Sequence, residues 1–528
     1  MKVTRGIEPI QAAGFRRLIA YVDNVWPVLV LCALAVLVLL WRLGQGSLHD
    51  WDEAVYAQAS KEMVQGGDWL TLHYGYKIWM DEPPLFVWLT AIFFQLFGVN
   101  EFWSRAASAF SGIALIIVTY LVGKLVYNKW VGFFAGVILL TSYHFTRYAR
   151  AGMTDIMLTL FTFLAIYAYL RLDKSSQHWW YVIAISSALA VMVKSLSGFL
   201  APAVITLDLW LSRRFTTTAR SHQFWIGLLV ALAILAPWYT IMLIKFGRVF
   251  IDDYILFHVA HATSTLQGNA GTRFFYVDQL QIGFYPWFYL VPFALALNIE
   301  ENLAALSRSR ILLLIIVLEF GIFTLAQTKL RWYILPLYPS LAILTAFMLA
   351  QAFSTLKSVA FAALVIGTFV VALLAPRNII LLSVSAGLVF IIVSLLGTKK
   401  LTYRPIVVVM CGFLIVVGAY NILPLYRMEE APVAKLARIA ASSSPDDREP
   451  LIVFSGLYQP TALFYSNRPI REAHTFEDLA KFTKEHQASR IIMAKNTIRS
   501  VSKTYDIHVV AEAEPLIYAV IDPTRDGL

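Results

Sequence analysis

Long apolar segments separated by short polar loops occupy the chain from Trp26 to Leu423. A helix needs about 20 mostly apolar residues to cross a bilayer, so this pattern predicts about thirteen spanning helices. The predicted spans include 130–146, 155–171 and 378–397. The first apolar segment begins far from the N-terminus and lacks a small-residue cleavage site, so we interpret it as a retained anchor.

The apolar stretch from Leu85 to Phe97 decides the topology. It follows a proline pair, ends at Gly98 and is short for a span. If it does not cross the membrane, the basic loops fall on the side of the N-terminus, as the positive-inside rule requires. We therefore expect a cytoplasmic N-terminus and an extracytoplasmic first loop, 44–105.

The pattern changes after residue 426. Strand-length apolar runs, LIVF, RIIMA, HVVAEA and LIYAVI, alternate with a polar helical stretch, FEDLAKFTKEH. This alternation predicts a small α/β domain. We divide the chain into a transmembrane domain, 1–426, and an extracytoplasmic (periplasmic) domain, 427–528. The second domain is expected to be structural or to contact an acceptor.

Composition supports a polytopic α-helical protein of the cytoplasmic (inner) membrane. Of the 528 residues, 59% are hydrophobic and 14% are charged, and the mean hydropathy is +0.66. The net charge of +10 does not indicate nucleic-acid binding, because the basic residues lie at the ends of apolar segments. The two cysteines cannot form a disulfide framework or a zinc site. No nucleotide-binding loop is visible, which argues against a soluble nucleotide sugar as substrate.

Charged residues collect in the loops expected outside the cytoplasm. The first loop holds two acid pairs, Asp52-Glu53 and Asp81-Glu82, and Asp155 opens a long apolar helix. Such residues at the ends of membrane helices are often functional. For Asp155 a helix N-cap and a functional role are both open.

Lys329 and Arg331 lie against a span on the side that is poor in basic residues, which predicts an anion such as a phosphate. Carboxylates near a phosphate suit sugar transfer. They act as a general base or stabilise an oxocarbenium-like state, while cations neutralise the leaving phosphate. A lipid-phosphate sugar fits this arrangement. Lys61, in contrast, is expected only to solvate its loop.

Four stretches carry a resemblance to a known family. They are DEAVYAQASKEMVQGGDWL, MDEPPLFVWLTAIFFQLFGVNEFWSR, RYARAGMTDIMLTLF and TKLRWYILPLYPSLAIL. They resemble the GT-C glycosyltransferases of the protein-mannosyltransferase and aminoarabinose-transferase type. The resemblance implies inverting transfer of a sugar from a polyprenyl-phosphate donor to lipid A, another glycolipid, a glycan or a protein. Membrane lipids are expected as further partners.

The resemblance also implies roles for individual residues. It gives catalytic roles to Asp52, Glu53 and Asp155. A divalent metal ion is a further expectation, at Asp81, Glu82 and His258. Binding of the donor phosphate is expected from residues of the outer loops: Arg150, Lys194, Arg248, Lys329, Arg331 and Tyr333.

Glu82 departs from the family pattern, because relatives usually carry Lys or His directly before the PPL stretch. A negative charge therefore replaces a positive one beside the expected phosphate. Either another cation compensates (Arg150, Lys194 or Arg248), or a divalent metal bridges the acid to the phosphate.

Two other functions are weighed against sugar transfer. A transporter or flippase of lipid-linked sugars would place charges near the bilayer midplane and often shows repeated halves. Here the predicted spans are nearly free of acids, Glu319 being an exception, and no inverted repeat is visible. A non-catalytic scaffold would not need Asp52 and Asp155.

Overall fold

The computed structural model describes residues 10–173, 175–256, 271–304, 308–354, 359–374, 403–427, 429–443, 449–454, 459–484 and 489–523. A helix bundle forms the larger part, and a short β-hairpin, β1 (His73–Tyr74) and β2 (Lys77–Ile78), lies in its first loop. Its helices are α1 Ile10–Leu40, α2 Asp52–Gly66, α3 Leu85–Phe97, α4 Glu101–Val126, α5 Lys129–Leu140, α6 Tyr143–Ala149, α7 Asp155–Arg171, α8 Trp179–Lys194, α9 Leu200–Leu211, α10 Phe215–Thr218, α11 His222–Phe246, α12 Arg248–Phe250, α13 Phe275–Gly283, α14 Val291–Ala304, α15 Arg310–Leu325, α16 Leu337–Ser354, α17 Val359–Leu374 and α18 Tyr403–Ile422.

The bundle is that of an integral membrane protein. Within the described residues, five helical stretches are long and apolar enough to cross a membrane, or six if Phe275–Gly283 and Trp287–Asn302, bent by 114°, form one span. One of the five, Trp179–Leu211, is α8, a 3₁₀ turn and α9 taken together. The predicted number of about thirteen stays a prediction, and the predicted span 378–397 lies outside the described residues. The stretch from Leu85 to Phe97 is a helix of 13 residues.

The predicted span 130–146 is interrupted. Helix α5 ends at Leu140, and α6 begins at Tyr143. The hydroxyls of Thr141 and Ser142 donate to the carbonyls of Val137 (2.8 Å) and Ile138 (2.7 Å). The Ser142 hydroxyl replaces the N–H that a continued helix would have directed at the Ile138 carbonyl, whereas the Val137 carbonyl also keeps its bond from the Thr141 N–H (3.0 Å).

Contacts at the two ends of α7 show how α8 and α9 run beside it. At one end, Lys194 Nζ lies 2.6 Å from Asp155 Oδ1. Near the other end, Tyr169 Oη donates to Asp208 Oδ2 (2.6 Å), and Asp208 Oδ1 pairs with Arg310 Nη2 (2.6 Å). Since Lys194 closes α8 and Asp208 belongs to α9, the chain reverses between them. Helices α8 and α9 are therefore antiparallel passes beside α7.

The reversal occurs in a 3₁₀ turn, Ser195–Phe199, that packs on α8. A Cβ on Gly198 would lie 2.3 Å from the Val191 backbone nitrogen and 2.5 Å from the Ala190 carbonyl carbon. Only a residue without a side chain allows the two backbones to approach this closely.

The C-terminal part is a five-stranded sheet with helices, as the alternation of short apolar runs predicted. Its strands are β3 Leu451–Phe454, β4 Ile470–Ala473, β5 Ser489–Ala494, β6 Tyr505–Ala513 and β7 Leu516–Pro523, and its helices are α19 Pro432–Ser443, α20 Gln459–Ser466, α21 Phe476–Thr483 and α22 Ile498–Val501. The spatial order is β4-β3-β5-β7-β6. Strand β3 is parallel to β4 and β5, whereas β7 is antiparallel to β5 and β6.

Helix α2 lies between the two parts. Ala54 and Ala57 belong to a hydrophobic cluster formed mainly by the C-terminal domain. Tyr56, Ala59 and Met63 pack in a second cluster with α3, α4, α7 and α8. The C-terminal domain covers this helix, so both of its faces are buried.

Replacing Gly198 by Ala is expected to lower the free energy of unfolding by about 1–3 kcal/mol, since a backbone must shift to admit the methyl group. Gly412, in α18, has no heavy atom within 4 Å of a built Cβ. Gly412→Ala should therefore be neutral or slightly stabilising. Thermal unfolding in detergent measures both. Equal melting temperatures for Gly198→Ala and the wild type would contradict the close approach.

Candidate active site

Charged side chains from four segments meet at the Asp155 end of the bundle. Asp52 is the first residue of α2, Glu82 precedes α3, and Asp155 is the first residue of α7. Lys194, at the end of α8, acts electrostatically on all three carboxyls. The structure thus brings together two of the predicted catalytic residues, Asp52 and Asp155, and one predicted phosphate ligand.

Lys194 is the cation of this cluster. Its side chain is 13% exposed, and its ammonium lies 5.3 Å from the ring centroid of Tyr333 as well as 2.6 Å from Asp155 Oδ1. The second oxygen of Asp155, Oδ2, is buried without a partner among the described residues. Asp155 is not the N-cap of α7, since Thr154 holds that position and no side-chain capping bond forms. Asp155 therefore orients Lys194.

Asp52 has an unusual protonation equilibrium. Burial raises the pKa of its carboxyl to about 6, and the nearby Asp155 also raises it, while Lys194 opposes the shift. The N-terminus of α2 favours the ionised form, because unpaired N–H groups point toward it. A carboxyl that titrates near neutrality is suited to accept a proton.

The backbone is strained directly beside this cluster. Trp51, which precedes Asp52, has φ 68° and ψ −131°. Ser195, which follows Lys194, has φ 38° and ψ −122°. Both conformations are disfavoured for residues with a side chain, and such strain is concentrated at functional sites.

Glu82 does not bring the negative charge that its sequence position suggests. Its Oε1 accepts a hydrogen bond from Tyr56 Oη (3.1 Å), and its Oε2 is buried without a partner among the described residues. Burial raises its pKa to about 8, aided by Asp52. The carboxyl is mostly protonated at neutral pH and can donate a hydrogen bond.

Glu53 points away from the cluster. Its Oε1 forms an ion pair with Arg105 Nε (2.6 Å), and its Oε2 accepts from the His49 backbone N–H (2.9 Å). Arg105, fully buried, also donates to the carbonyls of Leu43, Gln45 and Ser47. The geometry corrects the predicted catalytic role: Glu53 anchors the entry into α2.

Three of the predicted phosphate ligands are engaged elsewhere. Lys329 Nζ donates to three carbonyls at the end of α15 (2.7–3.1 Å), which occupies its three N–H groups. Arg150 is buried, and its Nη1 donates to three carbonyls at the end of α1, whereas its Nε and Nη2 have no partner among the described residues. The Arg248 side chain is 89% exposed and pairs with Asp252. Phosphate binding by these three residues stays a prediction.

The other two predicted ligands lie closer to the cluster. Tyr333 contacts Lys194, and Asp52 acts on its hydroxyl. Arg331 is exposed, and its charge acts on His144 and Tyr148. Tyr333 is therefore a plausible part of the site, whereas Arg331 lies at its outer rim.

The predicted metal site stays a prediction. Asp81 is exposed, whereas Glu82 is turned toward Tyr56. His258 lies outside the described residues. In the part of the chain that is described, no three His, Cys, Asp or Glu side chains are arranged to hold a metal ion. The described residues alone do not fit a metal, since Lys194 occupies the position of a cation between the acids.

Sequence reasoning missed two participants. Tyr56 lies four residues after Asp52, and this spacing puts both on one face of α2, so the signal was present. Glu319, noted only as an acid within a span, is buried in α15 and acts electrostatically on Asp155 and Lys194. Nothing in the sequence indicates which face of α15 meets the site.

A shallow apolar groove lies on the surface of the bundle. Its volume is about 610 Å³, and it is lined by residues from Phe199 to Phe215 along α9 and α10. Phe199 closes the turn that follows Lys194, and Trp210, farther along, is 67% exposed. The groove thus runs along α9 from the turn that follows Lys194.

Known proteins share both sequence and fold with this chain. Residues 81–241 match the family model described as dolichyl-phosphate-mannose-protein mannosyltransferase. The undecaprenyl phosphate-alpha-4-amino-4-deoxy-L-arabinose arabinosyl transferase of Pseudomonas savastanoi pv. phaseolicola is 29% identical over 342 residues, 61% of this chain and 61% of that protein. The chain therefore spans less than two thirds of that relative.

Two solved structures establish the fold. ArnT from Cupriavidus metallidurans bound to undecaprenyl phosphate superposes with a TM-score of 0.71, at 20% identity, over 94% of this chain and 98% of that one. The Archaeoglobus fulgidus oligosaccharyltransferase gives a TM-score of 0.57, at 11% identity, over 90% and 70%. This protein therefore has the GT-C fold, with a small C-terminal α/β domain, and its resemblance to the protein-mannosyltransferase and aminoarabinose-transferase type is confirmed.

Proposed function

We propose that the protein is a glycosyltransferase that moves a sugar from a polyprenyl phosphate to an acceptor of the cell envelope. The acceptor is lipid A, another glycolipid, a glycan or a protein. The observation that carries the proposal is the ion pair of the largely buried Lys194 with Asp155, beside the carboxyl of Asp52, at the end of the bundle from which an apolar groove runs along α9. The name of the Pseudomonas relative and the lipid in the Cupriavidus structure support a polyprenyl-phosphate donor.

The two ends of the donor, an apolar prenyl chain and a charged phosphate, contact different parts of the protein. Its prenyl chain lies in the groove along α9, and its phosphate meets the ammonium of Lys194 and the protonated carboxyl of Glu82. A cation and a hydrogen-bond donor in a site with little water stabilise the negative charge that develops on the leaving phosphate. Because Asp155 fixes Lys194, this stabilisation needs no rearrangement during the reaction.

Transfer is a displacement at the anomeric carbon. The acceptor oxygen forms a bond to this carbon from the face opposite the phosphate. The bond from carbon to the phosphate oxygen breaks, its electron pair stays on the phosphate, and the configuration inverts. If the acceptor is a hydroxyl, Asp52 takes its proton. If the acceptor is a phosphate group, no proton has to be removed, and Asp52 orients the sugar.

The orientation in the membrane is part of the proposal. The described loops at the Asp208 end carry a group of basic residues, whereas Asp52, Asp155 and the C-terminal domain lie at the other end. The basic residues are Arg171, Arg213, Arg214 and Arg310. The positive-inside rule assigns the basic end to the cytoplasm. The active site and the C-terminal domain then face the periplasm, and the comparisons do not favour a transporter.

A divalent metal at Asp81, Glu82 and His258 stays a separate proposal. These three residues would hold the ion, and it would supply positive charge that offsets the charge of the donor phosphate. EDTA treatment of the purified protein tests it directly: loss of transfer that Mg²⁺ or Mn²⁺ restores would support the metal, and unchanged transfer would argue against it.

Replacing Asp52 by Asn is expected to reduce donor consumption about 10²–10⁴-fold, the usual contribution of a positioned general base. Purified protein in nanodiscs would receive a panel of polyprenyl-phosphate sugars together with membrane extract as acceptor source. Mass spectrometry of the lipids would measure donor loss.

The matched control is Asp68→Asn, which changes a partly exposed acid of the same loop that faces Lys245 and lies outside the charged cluster. It should keep wild-type turnover. Wild-type turnover in Asp52→Asn would remove Asp52 from the mechanism, and failure of the wild type to consume any donor would overturn the proposed function.

The pH dependence of kcat/KM is expected to report Asp52 when the acceptor is a hydroxyl. The carboxylate is the active form and its pKa lies near 6, so the rate should fall about tenfold per pH unit below pH 6 and level off above it. A profile that is flat from pH 5 to pH 7 with a hydroxyl acceptor would contradict a general-base role.

A further inference from the structure

The first loop holds both ends of one helix in the C-terminal domain. Asp50 Oδ1 accepts a hydrogen bond from the backbone N–H of Thr461, in the first turn of α20 (3.1 Å). Lys61 Nζ donates to the carbonyl of Phe464, in the last turn of the same helix (2.6 Å). Asp50 lies two residues before Asp52, and Lys61 lies on α2 itself.

The signs of these two charges match the ends that they contact. The first N–H groups and last carbonyls of a helix lack partners within it, and the helix dipole favours an anion at the start and a cation at the end. Asp50 and Lys61 satisfy both requirements for α20. Two charges from one loop thus fix the position of α20 along its own axis.

Lys61 is an unusual cation. It is buried, 7% exposed, and its ammonium also lies 4.9 Å from the ring centroid of Phe464. Within the described residues it forms no ion pair with a carboxylate. Burial lowers its pKa to about 8, so the side chain is still cationic at neutral pH. The expected role in loop solvation is therefore wrong, because Lys61 faces the C-terminal domain.

The spacing of contacts along α2 connects this interface with the active site. Ala54, Ala57 and Lys61 recur at intervals of three and four residues and face the C-terminal domain. Asp52 and Tyr56 lie on the opposite face, toward the bundle. Movement of α20 away from α2 would therefore leave one face of the helix that carries Asp52 unsupported.

We propose that the C-terminal domain is the support that positions Asp52, and that Lys61 and Asp50 are the positioning residues that lock α20 against α2. The proposal rests on the proposed function, in which Asp52 acts on the acceptor. In the proposed function the donor is held by Lys194, Glu82 and the groove, none of which lies on α2. Loss of the contacts made by Lys61 and Asp50 therefore impairs the chemical step and largely preserves donor binding.

The test compares Lys61→Met with Lys495→Met in the full chain in nanodiscs. Met keeps the length of the side chain and removes the charge. Lys495 lies in the same domain, pairs with the exposed Glu512 and Glu514, and has no described contact with α2. In Lys61→Met we expect kcat to fall ten- to a hundredfold, since a displacement of about 1 Å costs this much, while KM for the donor changes less than twofold.

Amide hydrogen exchange of peptides covering 52–66 gives a readout that does not depend on activity. Lys61→Met should exchange at least tenfold faster there than the wild type, whereas Lys495→Met should match the wild type in exchange and kcat. Lys61→Arg, which keeps the cation, should restore both quantities at least in part. If the wild type transfers no sugar, the proposed function fails, and the exchange data still decide the positioning role.

Two results would overturn the proposal: wild-type kcat in Lys61→Met, or reduced kcat with unchanged exchange in α2. If Lys61→Met does not yield folded protein, Asp50→Ala replaces it. This variant removes only the cap at the start of α20, so the same changes are expected at smaller size. Wild-type kcat and exchange in Asp50→Ala would equally contradict the positioning role of Asp50 and Lys61.

Discussion

The charged end of the bundle depends on the electrostatic attraction between the ammonium of Lys194 and the carboxyls around it. Four acids, Asp52, Glu82, Asp155 and Glu319, lie within its electrostatic reach in a site shielded from water. Burying so many carboxyls is costly unless a cation offsets them or some of them are protonated. Both occur here, because Lys194 binds Asp155, while Asp52 and Glu82 hold their protons to unusually high pH. The same conditions prepare the site for an anionic donor, which would bring further negative charge.

The two adjacent acids of the first loop have separate tasks. Neighbouring residues on a helix point about 100° apart, so Asp52 and Glu53 cannot face the same partner. Glu53 forms an ion pair with Arg105, which also donates hydrogen bonds to three loop carbonyls. Asp52 lies on the other side, where the charge of Lys194 acts on it. The acid that resembles a catalytic partner in the sequence is instead the anchor that gives its neighbour a fixed direction.

Local properties of the chain were predictable from the sequence. The predicted span 155–171 coincides with α7, because this segment itself contains both the apolar run and the acidic first residue on which the prediction rests. The resemblance pointed to Asp52 and Asp155, which the structure brings together. It could not select Lys194 from the other cations, because this choice depends on which side chains are already engaged. The ammonium of Lys329 and one nitrogen of Arg150 donate to helix carbonyls, and no pattern in the sequence reveals these contacts. Lys61 was misjudged for a similar reason, since its partner lies 403 residues away.

The distance in sequence between α2 and the C-terminal residues that it contacts also affects how the protein folds during synthesis. Helix α2 is synthesised early, yet one of its faces belongs to a hydrophobic cluster that includes Leu451, Ile492 and Tyr518. Contacts between such distant residues form late, because a long loop must close before they stabilise anything. During synthesis the first loop stays partly uncovered until the last hundred or so residues have been made and have folded against it. Completion of the charged end of the bundle is thus tied to completion of the chain, and a prematurely terminated product would be inserted in the membrane but left without a finished cluster.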